Sequence, residues 1–261
     1  MPLGLIVAPR LAPTLAPCVE EALVARGPGA EPTLFLYGWE SPALVLGYGQ
    51  PADEVDLAAC RADGVVVLRR RTGGTGVYVD GDLGLSLALP REHAWARDLG
   101  GLYDHVLAAL TTALAALGQP VSRATVGDGH APRTPICFEG QLRESLLVDG
   151  RKAVGCAQMR RPGGVLVHST LLLGLDPERQ ARAFGVEPAR IAAALAPLAV
   201  ASRDRAALVR ELGAAFSRAL DLPLVERALP ILADDLCARY ADPRWCPVPA
   251  RVAPPTPAQA P

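Results

Sequence analysis

LRESLLVDGRKAVGCAQM, residues 142–159, decides the fold class. Two β-type runs, 142–148 and 151–159, flank Asp149-Gly150, and an Asp-Gly pair between such runs is the strongest short-range hairpin signal. Gly163-Gly164 then opens a further strand that runs to Leu173. Working outward, the pattern predicts strands over 33–37, 43–48, 65–68 and 83–89, separated by turn-forming stretches. Helices are predicted over 14–26 and 53–61. The clearest helix spans 98–117, where Leu102, Val106, Leu110, Leu114 and Leu117 recur at three or four residues and Gly118 ends the pattern. A Gly- and Pro-rich loop covers 118–137, and 177–240 reads as mostly helical. Adjacent strands joined by tight turns predict an α+β fold, a mixed, largely antiparallel β-sheet flanked by helices. Neither GxGxxG nor a P-loop is present, which argues against a doubly wound nucleotide fold.

The chain has 261 residues, enough for one large domain that needs no disulfide staples. We expect that domain to occupy 1–246, with a core of about 30–223 and a C-terminal helical part to about 246. Residues 247–261 hold six Pro and read as a disordered tail. Half of the residues are hydrophobic and 20% are charged, which excludes a disordered or collagen-like chain. A net charge of −1 supplies no bulk field for nucleic acid or an anionic membrane. The segment MPLGLIVAPRLAPTLAPC lacks the basic start of a secretory signal, and no apolar run reaches the ~20 residues of a membrane span. The six Cys are far apart and lack zinc spacing, so no metal site is expected. These features predict a cytoplasmic protein with free thiols.

Of the 26 basic residues, 25 are Arg and one is Lys, at Lys152. A Lys kept in so Arg-rich a chain marks either chance or a place where a compact ammonium cannot be replaced by a guanidinium. On a regular strand Lys152 would share a face with Val154, Cys156 and Gln158. Arg69-Arg70-Arg71-Thr72-Gly73-Gly74-Thr75-Gly76 follows a strand; its Gly residues let backbone approach a ligand, and its N–H groups and Arg suit an anion or a carbonyl. Cys137 lies in a loop, where a thiolate beside a cation attacks thioesters. His168 is placed mid-strand, where it can orient a ligand or act as a base. The ordinary alternatives are a solvated hairpin Lys, a plain Gly turn, a Cys packed as a small hydrophobe and a hydrogen-bonded core His.

Taken together, the motifs resemble the biotin/lipoate protein ligase superfamily, and within it the lipoate-protein ligase A-like octanoyltransferases. LYGWESP (36–42) with LGYGQ (46–50), the loop 69–80, Cys137-Phe138-Glu139, GRKAVGCAQ (150–158) and VHSTLL (167–172) run in that family's order, and the likeness covers about residues 14–245. The resemblance implies that family's catalytic-domain fold. It implies that Cys137 becomes acylated and that Lys152 contacts the acyl carbonyl. It also implies that Arg70, Gly73, Gly74, Thr75, Gly76, Asp80, Gly155, Cys156, Ala157 and His168 surround the acyl group. The implied reaction takes an octanoyl or lipoyl group from acyl-carrier protein through an enzyme thioester. The group passes to a lysine of a lipoyl-domain or glycine-cleavage H-type protein, with no cofactor. The alternatives are an ATP- and Mg-dependent lipoate ligase and a non-catalytic acyl- or carrier-binding relative. Departures from the motif include Val79 in place of its His, Gly84-Leu85 in place of a polar-aromatic pair, Cys156 in place of Ser, and Ser169-Thr170 in place of Gly-Ser.

Overall fold

A computed structural model of the chain describes residues 1–125, 134–202 and 204–250. The first half runs β1 (Leu3–Leu11), α1 (Leu15–Val24), β2 (Thr33–Trp39), β3 (Ala43–Leu46), α2 (Leu57–Asp63), β4 (Val66–Arg69), β5 (Val77–Val79), β6 (Leu83–Pro90) and α3 (Leu99–Ala116). The second half runs β7 (Ser122–Arg123), β8 (Ser145–Val148), β9 (Arg151–Arg161), β10 (Gly164–Leu171), α4 (Pro177–Phe184), α5 (Pro188–Ala194), α6 (Arg205–Leu220), β11 (Leu224–Glu226) and α7 (Asp234–Ala241).

Eight strands form the large sheet, in the order β11-β1-β2-β6-β10-β9-β8-β7. Its pairings are antiparallel except where β1 meets β11 and β2. A small sheet, β4-β3-β5, lies apart from it. The α+β expectation therefore holds, with the strands divided between two sheets. Asp149 (φ 49°) and Gly150 (φ 75°) make the left-handed turn that the β8–β9 hairpin requires.

Both faces of the large sheet are covered, so β2 reads as an unbroken apolar run. Leu34 and Leu36 face the main core with α3 and α6, while Phe35 and Tyr37 face α1. Asp98 caps α3 by accepting from Gly100 N and Gly101 N. Among the described residues α3, with 18 residues, is the one helix long and apolar enough by composition to cross a membrane. Its Leu102, Val106, Leu110 and Leu114 are instead packed in the protein core.

Three differences from the sequence reading have physical causes. Strands β1, β5, β11 and the two-residue β7, which falls in the expected 118–137 loop, were not expected. β1 and β11 pair in parallel with distant partners, and β5 is three residues long, so no local turn signal announces them. The β8–β9 register shifts between Leu146 and Leu147, from Leu146↔Val154 to Leu147↔Lys152, so Ala153 is an extra residue. Ala153 and Val154 both enter the main core, and Lys152 turns to the opposite face instead of sharing one with Val154. Finally, Val248, placed in the tail by composition, is packed: it is buried and pairs antiparallel with Val67 of β4. The remainder of that tail, 251–261, lies outside the described residues.

The C-terminal segment is tied to the start of the glycine loop. Arg71 lies over the rings of Tyr48 and Trp245, 5.6 and 5.2 Å from their centroids. Its Nε is 2.7 Å from Glu21 Oε1, and Glu21 also accepts from Arg239 (2.7 Å) and the Tyr240 hydroxyl (2.9 Å).

Candidate active site

Arg70, at the end of β4, is buried and organises the glycine loop from inside. Its Nε donates to Thr72 Oγ1 (2.8 Å), Nη1 to Val45 O (2.9 Å), and Nη2 to Gly73 O (2.8 Å) and Thr75 O (3.0 Å). The loop thus turns two carbonyls inward onto the guanidinium, where the sequence suggested N–H groups for a ligand. Gly74 adopts φ +88°, and a Cβ there would lie 2.9 Å from Arg70 Nη2 and 3.9 Å from Cys137 Sγ.

Cys137 opens a short 3-10 turn, Cys137–Glu139, whose approach runs alongside the glycine loop. Gly76 N donates to Pro135 O (2.9 Å) and Cys137 N to Gly76 O (2.8 Å). Arg70 Nη2 and Cys137 Sγ both lie close to Gly74, so a guanidinium sits near the thiol. Lys152 grips the same turn by its backbone. Its buried Nζ donates to Cys137 O (3.2 Å) and Gly140 O (2.9 Å) and lies 5.0 Å from the centroid of the Phe138 ring. Gly155 makes room for it: a Cβ there would be 2.9 Å from Lys152 Cε and 3.1 Å from Phe138 Cε2. The ammonium is thus bonded to the backbone of the Cys137 turn and not to the thiol with which the sequence reading paired it. Lys152 holds the Cys137 carbonyl oxygen, while Arg70 shares the neighbourhood of Gly74 with the sulfur.

Between the two sheets lies a narrow cleft with a cavity volume of about 20 Å³. β3, β4 and β5 contribute Val45, Leu68 and Val77; β2 and β10 contribute Tyr37, Trp39, His168 and Thr170; α1 closes one end with Ala16, Pro17 and Glu20. Arg70 also lines it, and Thr170 is paired across the ladder with Gly155, which touches Lys152. Arg70 and Thr170 thus mark the side of the cleft nearest the glycine loop and Lys152.

A hydrogen-bonded chain crosses the cleft. Thr72 Oγ1, which accepts from Arg70, is 3.2 Å from His168 Nε2, and His168 Nδ1 is 3.3 Å from Glu20 Oε1. Glu20 Oε1 also accepts from the hydroxyls of Ser86 (2.7 Å) and Tyr37 (3.3 Å). Burial by itself would raise this carboxyl, but His168 and the two hydroxyls hold it below its ordinary 4.5. With the folded value below the unfolded one, Glu20 contributes stability above pH 4.5 that is lost as pH falls through the folded value. Urea midpoints measured from about pH 6 to about pH 3 should therefore fall less steeply in Glu20→Gln than in the wild type. Sequence reasoning noted Glu20 only as a helical residue. Its distinguishing mark, a carboxylate on the buried face of an apolar helix, is invisible until α1 is docked on the sheet.

The structure brings most of the expected residues together. Gly73, Gly74, Thr75 and Gly76 form the loop around Arg70; Gly155 adjoins Lys152; Ala157 is paired directly opposite His168. Two residues stand elsewhere. Asp80 is ion-paired with Arg179 of α4 (2.8 Å), where it fastens the β5–β6 turn. Cys156 is paired with Ser169 and packs against the main core, its Sγ 3.1 Å from Ser169 Oγ, on the face of β9 opposite Gly155. Burial pushes its thiol up to about 11. Cys156→Ala is accordingly expected to keep the activity of this site within about two-fold of wild type, as read in an activity assay.

The family described as "Lipoyl protein ligase A/B catalytic domain" matches residues 14–222. The octanoyltransferase LipM of Geobacillus kaustophilus is 34% identical over 155 residues, a match spanning 56% of this chain and 56% of that protein's length. The chain thus spans little more than half the length of this relative. Among solved structures, lipoate-protein ligase A bound with ATP superposes with a TM-score of 0.75 at 22% identity, covering 91% of this chain and 93% of that one. A bipartite lipoate protein ligase from Thermoplasma acidophilum, described with its E2 lipoyl domain, gives 0.72 at 20% identity, covering 92% of each chain. At these identities the structures establish the fold, and the extent of the family match settles membership: the chain belongs to the lipoyl protein ligase A/B catalytic-domain family.

Proposed function

We propose that the protein is an octanoyltransferase of protein lipoylation that works through a Cys137 thioester. The observation that carries this reading is that buried Lys152 holds the Cys137 turn while buried Arg70, which lines the apolar cleft, shares the neighbourhood of Gly74 with the Cys137 thiol. The match to LipM octanoyltransferases supports it. A medium-chain acyl group supplied by acyl-carrier protein lies in the cleft, where each buried CH₂ contributes about 0.8 kcal/mol. The Cys137 thiolate attacks the thioester carbonyl carbon; the new C–S bond forms as the bond to the carrier's sulfur breaks, and that sulfur leaves with the electron pair and takes up a proton. A lysine ε-amine of the acceptor then attacks the enzyme thioester. The C–N bond forms, the C–Sγ bond breaks, and the amine's proton passes to the departing thiolate.

The acceptor is a lipoyl domain or a glycine-cleavage H-type protein, in keeping with the E2 lipoyl domain described with the Thermoplasma ligase. A reactive thiol of this kind suits a reducing, cytoplasmic setting, and all six cysteines are unpaired. No cofactor enters this route.

Intact-mass measurement after incubation with octanoyl-carrier protein, without ATP, tests the reading. An octanoyl adduct that an acceptor domain discharges is the expected result. Acceptor modification that requires ATP, Mg and free acid would instead establish a ligase. Absence of both would leave a binding protein without chemistry.

A further inference from the structure

Ser145, on β8, is 0% exposed, and its hydroxyl has no hydrogen-bond partner among the described residues. A buried hydroxyl left unpaired opposes folding, so its position calls for a ligand atom that would pair with it. The strand ladder fixes the direction it faces. Cys156 N donates to Glu144 O (3.1 Å), which makes that pair the hydrogen-bonded one and leaves Ser145↔Gly155 as the closer, non-hydrogen-bonded pair. Directly opposed residues point to the same side of a sheet. On Gly155 that side is occupied by Lys152, whose Cε and Nζ would lie 2.9 and 3.3 Å from a Cβ at 155. Ser145 and the ammonium thus flank the same notch. An ammonium carries three N–H groups, and the two bonds to Cys137 O and Gly140 O leave one free.

We propose that Ser145 Oγ–H and the free N–H of Lys152 together hold the carbonyl oxygen of the Cys137-bound acyl thioester. As the acceptor amine adds, the C=O electron pair moves onto that oxygen, and both donors strengthen their bonds to it; the pair returns as the C–Sγ bond breaks. This assignment rests on the thioester reading above and makes Ser145 a catalytic residue.

The test compares wild type with Ser145→Ala, using octanoyl-carrier protein labelled with ¹³C at the carbonyl and no ATP. Transfer from the enzyme should slow about 100-fold, with the KM for the carrier within about two-fold. The labelled carbonyl band of the acyl-enzyme should move to higher wavenumber as it loses a hydrogen bond. Thermal stability should not fall, because the variant removes an unpaired hydroxyl. An unshifted band, a rate within two-fold of wild type, or a rate loss that tracks a lower Tm would overturn the assignment. If wild type itself takes up no octanoyl group, the transferase reading fails first, and the Ser145 role falls with it.

Discussion

Cys137→Ala abolishes the octanoyl adduct and lowers ATP-independent transfer by about 10⁴-fold or more, as expected when a covalent nucleophile is removed. None of the other cysteines lines the cleft. Cys156 faces the α3 side of β9, with its thiol engaged by Ser169 and pushed up to about 11 by burial. Cys18, Cys60 and Cys246 are buried away from the cleft lining. The variant should fold normally, because the turn is held by backbone atoms that alanine retains: Cys137 N on Gly76 O and Cys137 O under Lys152. Intact mass, a transfer assay and a melting curve on one preparation check all three parts. Full transfer by Cys137→Ala would place the acyl group on another carrier atom and remove the thioester from the mechanism.

Lys152→Met should cost about 10²–10³-fold in transfer rate, the range for losing a charged donor at a developing oxyanion. Methionine fills the channel beside Gly155 and Phe138 but leaves the carbonyls of Cys137 and Gly140 without their donor. We expect a modest stability loss of about 1–3 kcal/mol, read from denaturant unfolding, and not unfolding of the domain. Lys152→Arg should be nearly as inactive, since a planar fork does not reproduce a point-like ammonium held between the carbonyls of Cys137 and Gly140. Near-normal turnover by either variant would remove Lys152 from the chemistry.

Much of this site was legible in the sequence because its parts are local. The glycine loop, the Asp149-Gly150 turn and the Cys137 turn each carry their own chemistry over a few residues, and one Lys among 25 Arg drew attention to position 152. What escaped depends on distance or on counting by one. A single extra residue in β9 reverses the face on which Lys152 lies, and no residue type marks it, since Ala153 is as ordinary in a strand as in a bulge. Arg70 was read as a ligand-facing cation, yet four of its hydrogen bonds go to the protein around it, a role set by burial. Glu20 reaches His168 across 148 positions of sequence, and pairings of that separation leave no trace in local pattern.

The pairing of Val248 with Val67 bears on where the gene can be cut. The family match stops at residue 222, which invites recombinant fragments ending there. Such a fragment would strip the outer rim of the three-stranded sheet and leave β4 bare, a ready template for chain-to-chain polymerisation. It would also deprive Arg71 of Trp245 just before the glycine loop begins. Useful boundaries for expression therefore lie beyond residue 248.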